Sequence, residues 1–338
     1  MSGTLAARLD RLTYASVGYG CVSVQFGEGQ LTERVERDLL AELEPQVEKL
    51  LNRHLSMAKE WFPHEYVPYS QGRDFDLEPW TPDQPRLTGV AQVAFEVNLL
   101  TEDNLPSYHY EIRSMFGKKD SAWIEWVHRW TAEEGRHAIV LRDYLIVTRN
   151  IDPVRLERGR MATMQTGYDA AGKDTLHGMA YVAFQELATR ISHRNTGRYS
   201  NDPLADRIMV RISTDENLHM VFYRDTLDAA LELRPSETVI AIADEVMGFQ
   251  MPGAGMPSFQ RKAVQIANAG IYDLRIHHNE VVWPLLRHWG FLDVGGLSAQ
   301  AEQRRQQCVQ YLEGLDALAC RYEEKRAARE AAAAAVQP

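Results

Sequence analysis

Apolar residues recur at three- and four-residue spacing along most of the chain, the period of an amphipathic α-helix. From Leu31 the pattern is carried by Leu39, Leu43, Val47, Leu50 and Leu51. Pro45 falls inside this run and is expected to break or kink the helix there. Residues 62–88 hold Pro63, Pro68, Pro79, Pro82, Pro85 and Gly72 and read as a long loop. Beyond it, the periodicity predicts helices over 89–116, 120–148, 174–197, 203–232, 236–249, 257–271, 275–289 and 298–328. Asp152-Pro153 and Asp202-Pro203 each offer a capping carboxylate followed by proline at the first helical position, where no N–H is needed. No run shows the two-residue alternation of a strand, so the expected fold class is all-α. Residues 31–330 are expected to form one domain, between a flexible extension at 1–30 and a disordered tail at 331–338. The stretch Tyr14–Phe26 faintly imitates a secretory signal, but it is glycine-broken and no clear cleavage site follows, so the extension is preferred.

An internal repeat adds chemistry to this helical pattern. Trp130-Thr-Ala-Glu-Glu-Gly-Arg-His137 aligns with Ile212-Ser-Thr-Asp-Glu-Asn-Leu-His219 at an offset of 82 residues. Glu134 falls on Glu216, His137 on His219, Glu133 on Asp215, Arg142-Asp143 on Arg224-Asp225, and Leu145 on Leu227. Two such copies in two long helices point to a duplicated helical hairpin. Glu-x-x-His places a carboxylate and an imidazole one turn apart on one helix face. Helical bundles that bind two metals pair two such helices with two others that each supply one Glu. Glu102 lies 32 residues before Glu134, and Glu186 lies 30 before Glu216, spacings that suit antiparallel hairpins. The expected ligand set is therefore Glu102, Glu134, His137, Glu186, Glu216 and His219. Glu125 and His128 also match Glu-x-x-His, but Glu125 is nine residues before Glu134, half a turn out of phase, and should face solvent.

The surrounding residues suggest supporting roles. Metal-bound histidines pass their second N–H to a carboxylate or carbonyl, so a two-fold site would set Asp215 on His137 and Glu133 on His219. Thr189 follows Glu186 by three residues, where the other motif carries histidine, and should point to the centre; a structural, helix-bonded Thr is the competing reading. Met179, two turns before Glu186, could line a channel or simply fill the core. Ligand type alone permits manganese as well as iron.

Composition removes other classes. The formal charge of −10 lacks the basic footprint of a nucleic-acid binder. The three cysteines, Cys21, Cys308 and Cys320, form no CxxC pair, which argues against a zinc site or disulfide framework and favours a cytoplasmic protein. No apolar run has the length of a membrane span.

The segments Leu100-Thr-Glu-Asp-Asn-Leu-Pro106, Trp130–His137, Phe184-Gln-Glu-Leu-Ala-Thr-Arg-Ile-Ser-His-Arg-Asn-Thr196 and Asp215–His219 resemble the soluble acyl-carrier-protein desaturases, plant stearoyl desaturases and actinobacterial relatives among them. The similarity runs from about Leu39 to Glu330. Phe184–Thr196 is the most specific part, because metal ligation alone does not require it. The resemblance implies an eleven-helix ferritin-like di-iron bundle, a homodimer, and the six ligands above. It also implies that Thr189 handles oxygen or protons, that Trp61 relays electrons through Asp215 to His137, and that Ser114, Met115, Gly178 and Met179 shape an acyl channel. The turn between the first two ligand helices is shorter than in the plant enzymes, which bears on chain length and carrier docking.

The expected activity is O2-dependent desaturation of a saturated chain on acyl carrier protein, giving a cis alkene. Cutting an unactivated C–H bond is beyond acid–base side chains, so two iron ions and O2 must supply the oxidant. Two of the four electrons would come from the substrate and two from ferredoxin or a similar donor. Acyl carrier proteins are acidic, so Lys118-Lys119, Arg261-Lys262 and Arg275 are docking candidates. Two alternatives use the same bundle: an oxygenase or N-oxygenase on another carrier-bound substrate, and a ferroxidase or iron store.

Overall fold

The computed structural model describes residues 29–117, 120–170 and 172–336, with no strand among them. The chain divides into two units, residues 1–39 and 40–338. In the first, the described stretch 29–39 is helical. The expected extension at 1–30, Cys21 and the Lys118-Lys119 pair lie wholly or almost wholly outside the described residues.

Helix α1 (Gly29–Met57) continues through Pro45 without the expected break. A helix-interior proline costs about 3 kcal/mol, whereas each fully buried Leu or Val side chain contributes roughly 1.5–3 kcal/mol. Leu43, Val47, Leu50 and Leu51, on both sides of Pro45, are all buried, and that shared apolar face keeps the helix intact. The opposite correction applies to 89–116, which is two helices, α2 (Gly89–Glu102) and α3 (Leu105–Phe116). Pro106 donates no N–H, and in a continuous helix its ring would collide with the Glu102 carbonyl four residues back. The helix therefore ends on Glu102. Asn104 holds the break, its side-chain amide donating to the Gly167 carbonyl at 3.1 Å.

The remaining helices are α4 (Ala122–Val147), α5 (Pro153–Thr166), α6 (Thr175–Ser200), α7 (Pro203–Leu233), α8 (Pro235–Gly248) and α9 (Phe259–Asn268). After them, the helix expected over 275–289 is present as one uninterrupted run made of α10 (Leu274–Ile276), a π-helical turn (His277–Val282) and α11 (Trp283–His288). The last helix, α12 (Ala299–Val336), extends past the expected end at 328. Caps follow the sequence. Asp152 accepts from Val154 and Arg155 N–H, and Asp202 from Leu204 and Ala205 N–H. Between α6 and α7, Asn201 takes the left-handed conformation at φ +53° that turns the chain back on itself.

Four helices close a ring: α2 packs on α4 and α6, α7 packs on α4 and α6. This is a ferritin-like bundle, with α3, α8 and α12 applied outside it. The 58–88 loop is pinned by Asn150, whose side-chain oxygen accepts from Arg86 and Leu87 N–H at 2.8 and 2.9 Å. It is also held by the buried Arg149, which donates to Gln84 and lies 4.3 Å above the Phe75 ring. The pinned loop seats Trp61 in a core cluster with Phe95, Leu141, Tyr144 and Ile212.

Candidate metal centre

Each ring helix carries its acidic or imidazole groups inward. Glu102 ends α2, Glu134 and His137 lie mid-α4, Glu186 lies mid-α6, and Glu216 and His219 lie mid-α7. All six are buried. Their donor atoms form two overlapping groups, Glu102–Glu134–His137–Glu216 and Glu134–Glu186–Glu216–His219, each with all its atoms within 4.8 Å of one another. Glu134 and Glu216 belong to both. His137 Nδ1 lies 3.2 Å from Glu134, 3.6 Å from Glu216 and 3.7 Å from Glu102. His219 Nδ1 lies 2.8 Å from Glu134 and 3.6 Å from Glu186. The sequence thus brings its six predicted residues to one place. Glu125 and His128 are exposed, as their phase requires.

The donor set fits metal ions on two counts. Buried polar atoms are normally hydrogen-bonded, yet Glu134 Oε1, Glu186 Oε2, Glu216 Oε2 and His219 Nδ1 have no hydrogen-bond partner. His219 Nδ1 and Glu134 Oε1 lie 2.8 Å apart, close enough for one metal ion to take both. Charge gives the second count. Burial, together with the Glu134 and Glu186 carboxylates, pushes the Glu216 carboxyl well above its usual range. Two divalent cations would balance the four carboxylates and remove that repulsion.

A second layer fixes the ring orientations. His137 Nε2 faces Asp215 Oδ2 at 3.4 Å, and His219 Nε2 faces Glu133 Oε2 at 2.9 Å. These are the cross-pairs expected from the repeat. A proton on Nε2 leaves Nδ1 bare toward the carboxylates. Burial would raise the pKa of Asp215 and of Glu133, but their imidazole partners outweigh it and hold both below the usual carboxylate range. Arg211 pairs with Asp215, Arg129 with Glu133 at 2.5 Å, and Arg136 reaches both acids. Trp61 Nε1 donates to Asp215 Oδ2 at 2.7 Å, and its ring lies 6.3 Å from His137, nearly parallel. Thr189 is buried beside Glu186, and its hydroxyl donates to the Gln185 or Glu186 carbonyl.

Sequence reasoning missed three partners. Trp130 Nε1 donates to Glu186 Oε1 at 3.0 Å, and His193 Nε2 to Glu102 Oε1 at 2.8 Å. His54 Nε2 lies 2.9 Å from Glu133 Oε2. Trp130 opens the first motif copy and His193 lies two turns after Glu186, so both were within reach of helical periodicity. His54 stands in α1 with no motif to mark it.

An apolar cleft beside the site is lined by Ile112, Met115, Trp130, Gly178, Val182 and Gln185, among others. Of the four channel candidates, Met115 and Gly178 line it. Ser114 is exposed, with its hydroxyl bonded to the Tyr110 carbonyl, and Met179 is buried; neither lines the cleft. Among the docking candidates, Arg261 is exposed, whereas Lys262 is paired with Glu96 and Arg275 with Asp316 and Glu323.

Residues 35–337 match the family model described as fatty acid desaturase. The chain belongs to the fatty acid desaturase family. It is 50% identical over 293 residues to DesA1 of Mycobacterium tuberculosis, provisionally named an acyl-[acyl-carrier-protein] desaturase, covering 83% of this chain and 86% of DesA1. It is 27% identical over 288 residues to the chloroplastic stearoyl-[acyl-carrier-protein] 9-desaturase 5 of Oryza sativa subsp. japonica, covering 79% of this chain and 74% of that one. The X-ray structure of DesA2 from M. tuberculosis, provisionally an acyl-carrier desaturase, superposes with a TM-score of 0.65 at 30% identity, covering 79% of this chain and 99% of DesA2. No helix among the described residues is long and apolar enough to cross a membrane.

Proposed function

We propose that this protein is an acyl-carrier-protein desaturase that introduces a cis double bond into a saturated acyl chain. The observation that carries the reading is the pair of buried donor groups sharing Glu134 and Glu216, next to an apolar cleft bounded by Trp130. Glu102 and His137 would hold one iron, Glu186 and His219 the other, with Glu134 and Glu216 common to both. When bound, two irons with O2 and two donor electrons supply the oxidant that removes two hydrogens from adjacent methylenes and yields water.

The chain's own residues do the rest. Asp215 and Glu133 hold the Nε2 protons of His137 and His219 and so keep each imidazole in one orientation. Trp61, hydrogen-bonded to Asp215, is the proposed entry for electrons from ferredoxin or a similar donor. Thr189, buried three residues after Glu186, donates its hydroxyl proton to the helix backbone and keeps an oxygen lone pair as acceptor; it is proposed to handle oxygen or protons, on the family resemblance. Met115 and Gly178 would set the width of the cleft that excludes water and aligns the acyl chain. Arg261 is the exposed cation left to an acidic carrier among the described candidates. A single catalytic domain over 31–330, a homodimer and a cytoplasmic location complete the reading, on the family resemblance.

Mass spectrometry of carrier-bound products tests it. Iron-loaded protein, reduced ferredoxin, O2 and a panel of saturated acyl carriers are expected to give products lighter by two hydrogens, abolished in Glu134→Ala. A gain of one oxygen would replace the reading with an oxygenase. Iron uptake beyond two ions per chain without product would replace it with iron storage.

A further inference from the structure

The duplicated motif gives both ends of the site the same ligand types but different supports. Glu186 receives the indole N–H of Trp130. The repeat places Ile212 at the equivalent position of α7, and isoleucine has no proton to give Glu102. Glu102 is supported instead by His193, whose Nε2 lies 2.8 Å from Glu102 Oε1 and 3.5 Å from Glu216 Oε1, all three residues being buried. His193 follows Glu186 by seven residues; the residue seven after Glu102 is His109. His109 gives Glu186 no matching contact, because the break at Pro106 redirects it, and its Nδ1 bonds Thr131 Oγ1 at 2.7 Å.

Glu102 also depends more on its support than Glu186 does. Glu186 sits in the middle of a 26-residue helix, whereas Glu102 is the last residue of α2, directly before the Asp103-Asn104 break. A buried carboxylate that loses its donor carries an unmet desolvation penalty and regains rotamer freedom.

We propose that His193 is a positioning residue that fixes Glu102 for the metal position formed by Glu102, Glu134, His137 and Glu216, and that this position depends on it while the Glu186–His219 position does not. The two metal positions are therefore inequivalent. The inference rests on the two-metal reading given above.

The test is anaerobic ferrous titration of the full chain, with bound iron counted after desalting and folding checked by circular dichroism. Wild type is expected to hold two irons per chain. His193→Leu, which removes the donor, is expected to hold one tightly and to bind the other about 10–100-fold more weakly. His193→Gln keeps an N–H of similar reach and is expected to restore two. Where the Leu variant does not fold, His193→Asn, polar but too short to reach Glu102, takes its place with the same expected loss. A Leu or Asn variant that keeps two irons at wild-type affinity, or loses both equally, overturns the inference. A wild type that holds fewer than two irons sinks the two-metal reading, and the inference with it.

Discussion

At the scale of single residues, the centre is a balance between buried charge and imidazole partners, and each support has a separable consequence. Trp61→Phe keeps a ring of similar character and deletes the N–H on Asp215. Metal content should stay at wild type while donor-driven turnover falls by about tenfold or more; an unchanged rate would remove Trp61 from the electron route. Gly178→Ala probes the cleft. A Cβ there would run into the Met115 sulfur, and overpacking usually costs about 1–3 kcal/mol, but a methionine tail can swing aside. The expected result is a small loss of stability and a shift of preferred acyl length toward shorter chains; an unaltered preference would place the chain elsewhere. The six ligand candidates and the cross-pairs Asp215–His137 and Glu133–His219 were legible in the sequence because helical spacing and repeat register determine them. His54 was not, because its meeting with Glu133 depends on how α1 packs across the bundle, which no local spacing encodes. Ser114 does not line the cleft, because the turn at Asp103-Asn104 resets the phase of α3, whereas Met179 on α6 is fully buried in the core, the other reading its position allowed.

At the scale of elements, proline decided the boundaries, but its effect depended on packing. Pro45 sits within a continuous buried face and the helix tolerates it; Pro106 follows the buried Glu102 closely and the helix stops. Periodicity alone could not separate the two cases. The α6–α7 hairpin, by contrast, was written locally. Asp202→Ala removes the acceptor for two otherwise unpaired N–H groups and should lower stability by about 1 kcal/mol in chemical denaturation; no loss would mean solvent serves these groups equally well. The start of α6 carries a pH-dependent contribution. His177 lies between Asp174 at 2.7 Å and Asp244 at 3.4 Å. Burial alone would depress its pKa, but the two carboxylates outweigh that and raise it to about 9 from 6.5. The folded state thus keeps a proton that the unfolded chain releases. Its contribution is complete below the unfolded pKa and is lost as pH rises through the folded one. His177→Gln should be less stable than wild type by about 1–2 kcal/mol near pH 6, with the gap closing by pH ~10. A gap that is constant with pH would assign the loss to packing alone.

At the scale of the whole molecule, the ring of α2, α4, α6 and α7 encloses more carboxylate than its imidazoles can neutralise. The bundle should therefore gain stability from metal. Ligand that binds the folded state at a hundredfold excess over its Kd stabilises by about 2.7 kcal/mol, so iron-loaded protein should melt several degrees above the metal-free form, and equal melting temperatures would count against ions held in the folded core. The all-α class and ferritin-like architecture follow from a helical period that persists along nearly the whole chain, together with a duplicated Glu-x-x-His motif. The relative position of the cleft could not be read in the same way, since it arises where α3 and α6 meet. With Glu134 and Glu216 common to both donor groups, Glu102, Glu134, His137, Glu186, Glu216 and His219 are proposed to form one centre for two ions, and not two unrelated sites. Mössbauer and electron paramagnetic resonance spectroscopy of the oxidised, iron-loaded protein tests it most directly. Two high-spin ferric ions per chain are expected, coupled through shared carboxylates so that they give no paramagnetic signal. A strong signal from isolated ferric iron accounting for the metal present would contradict it.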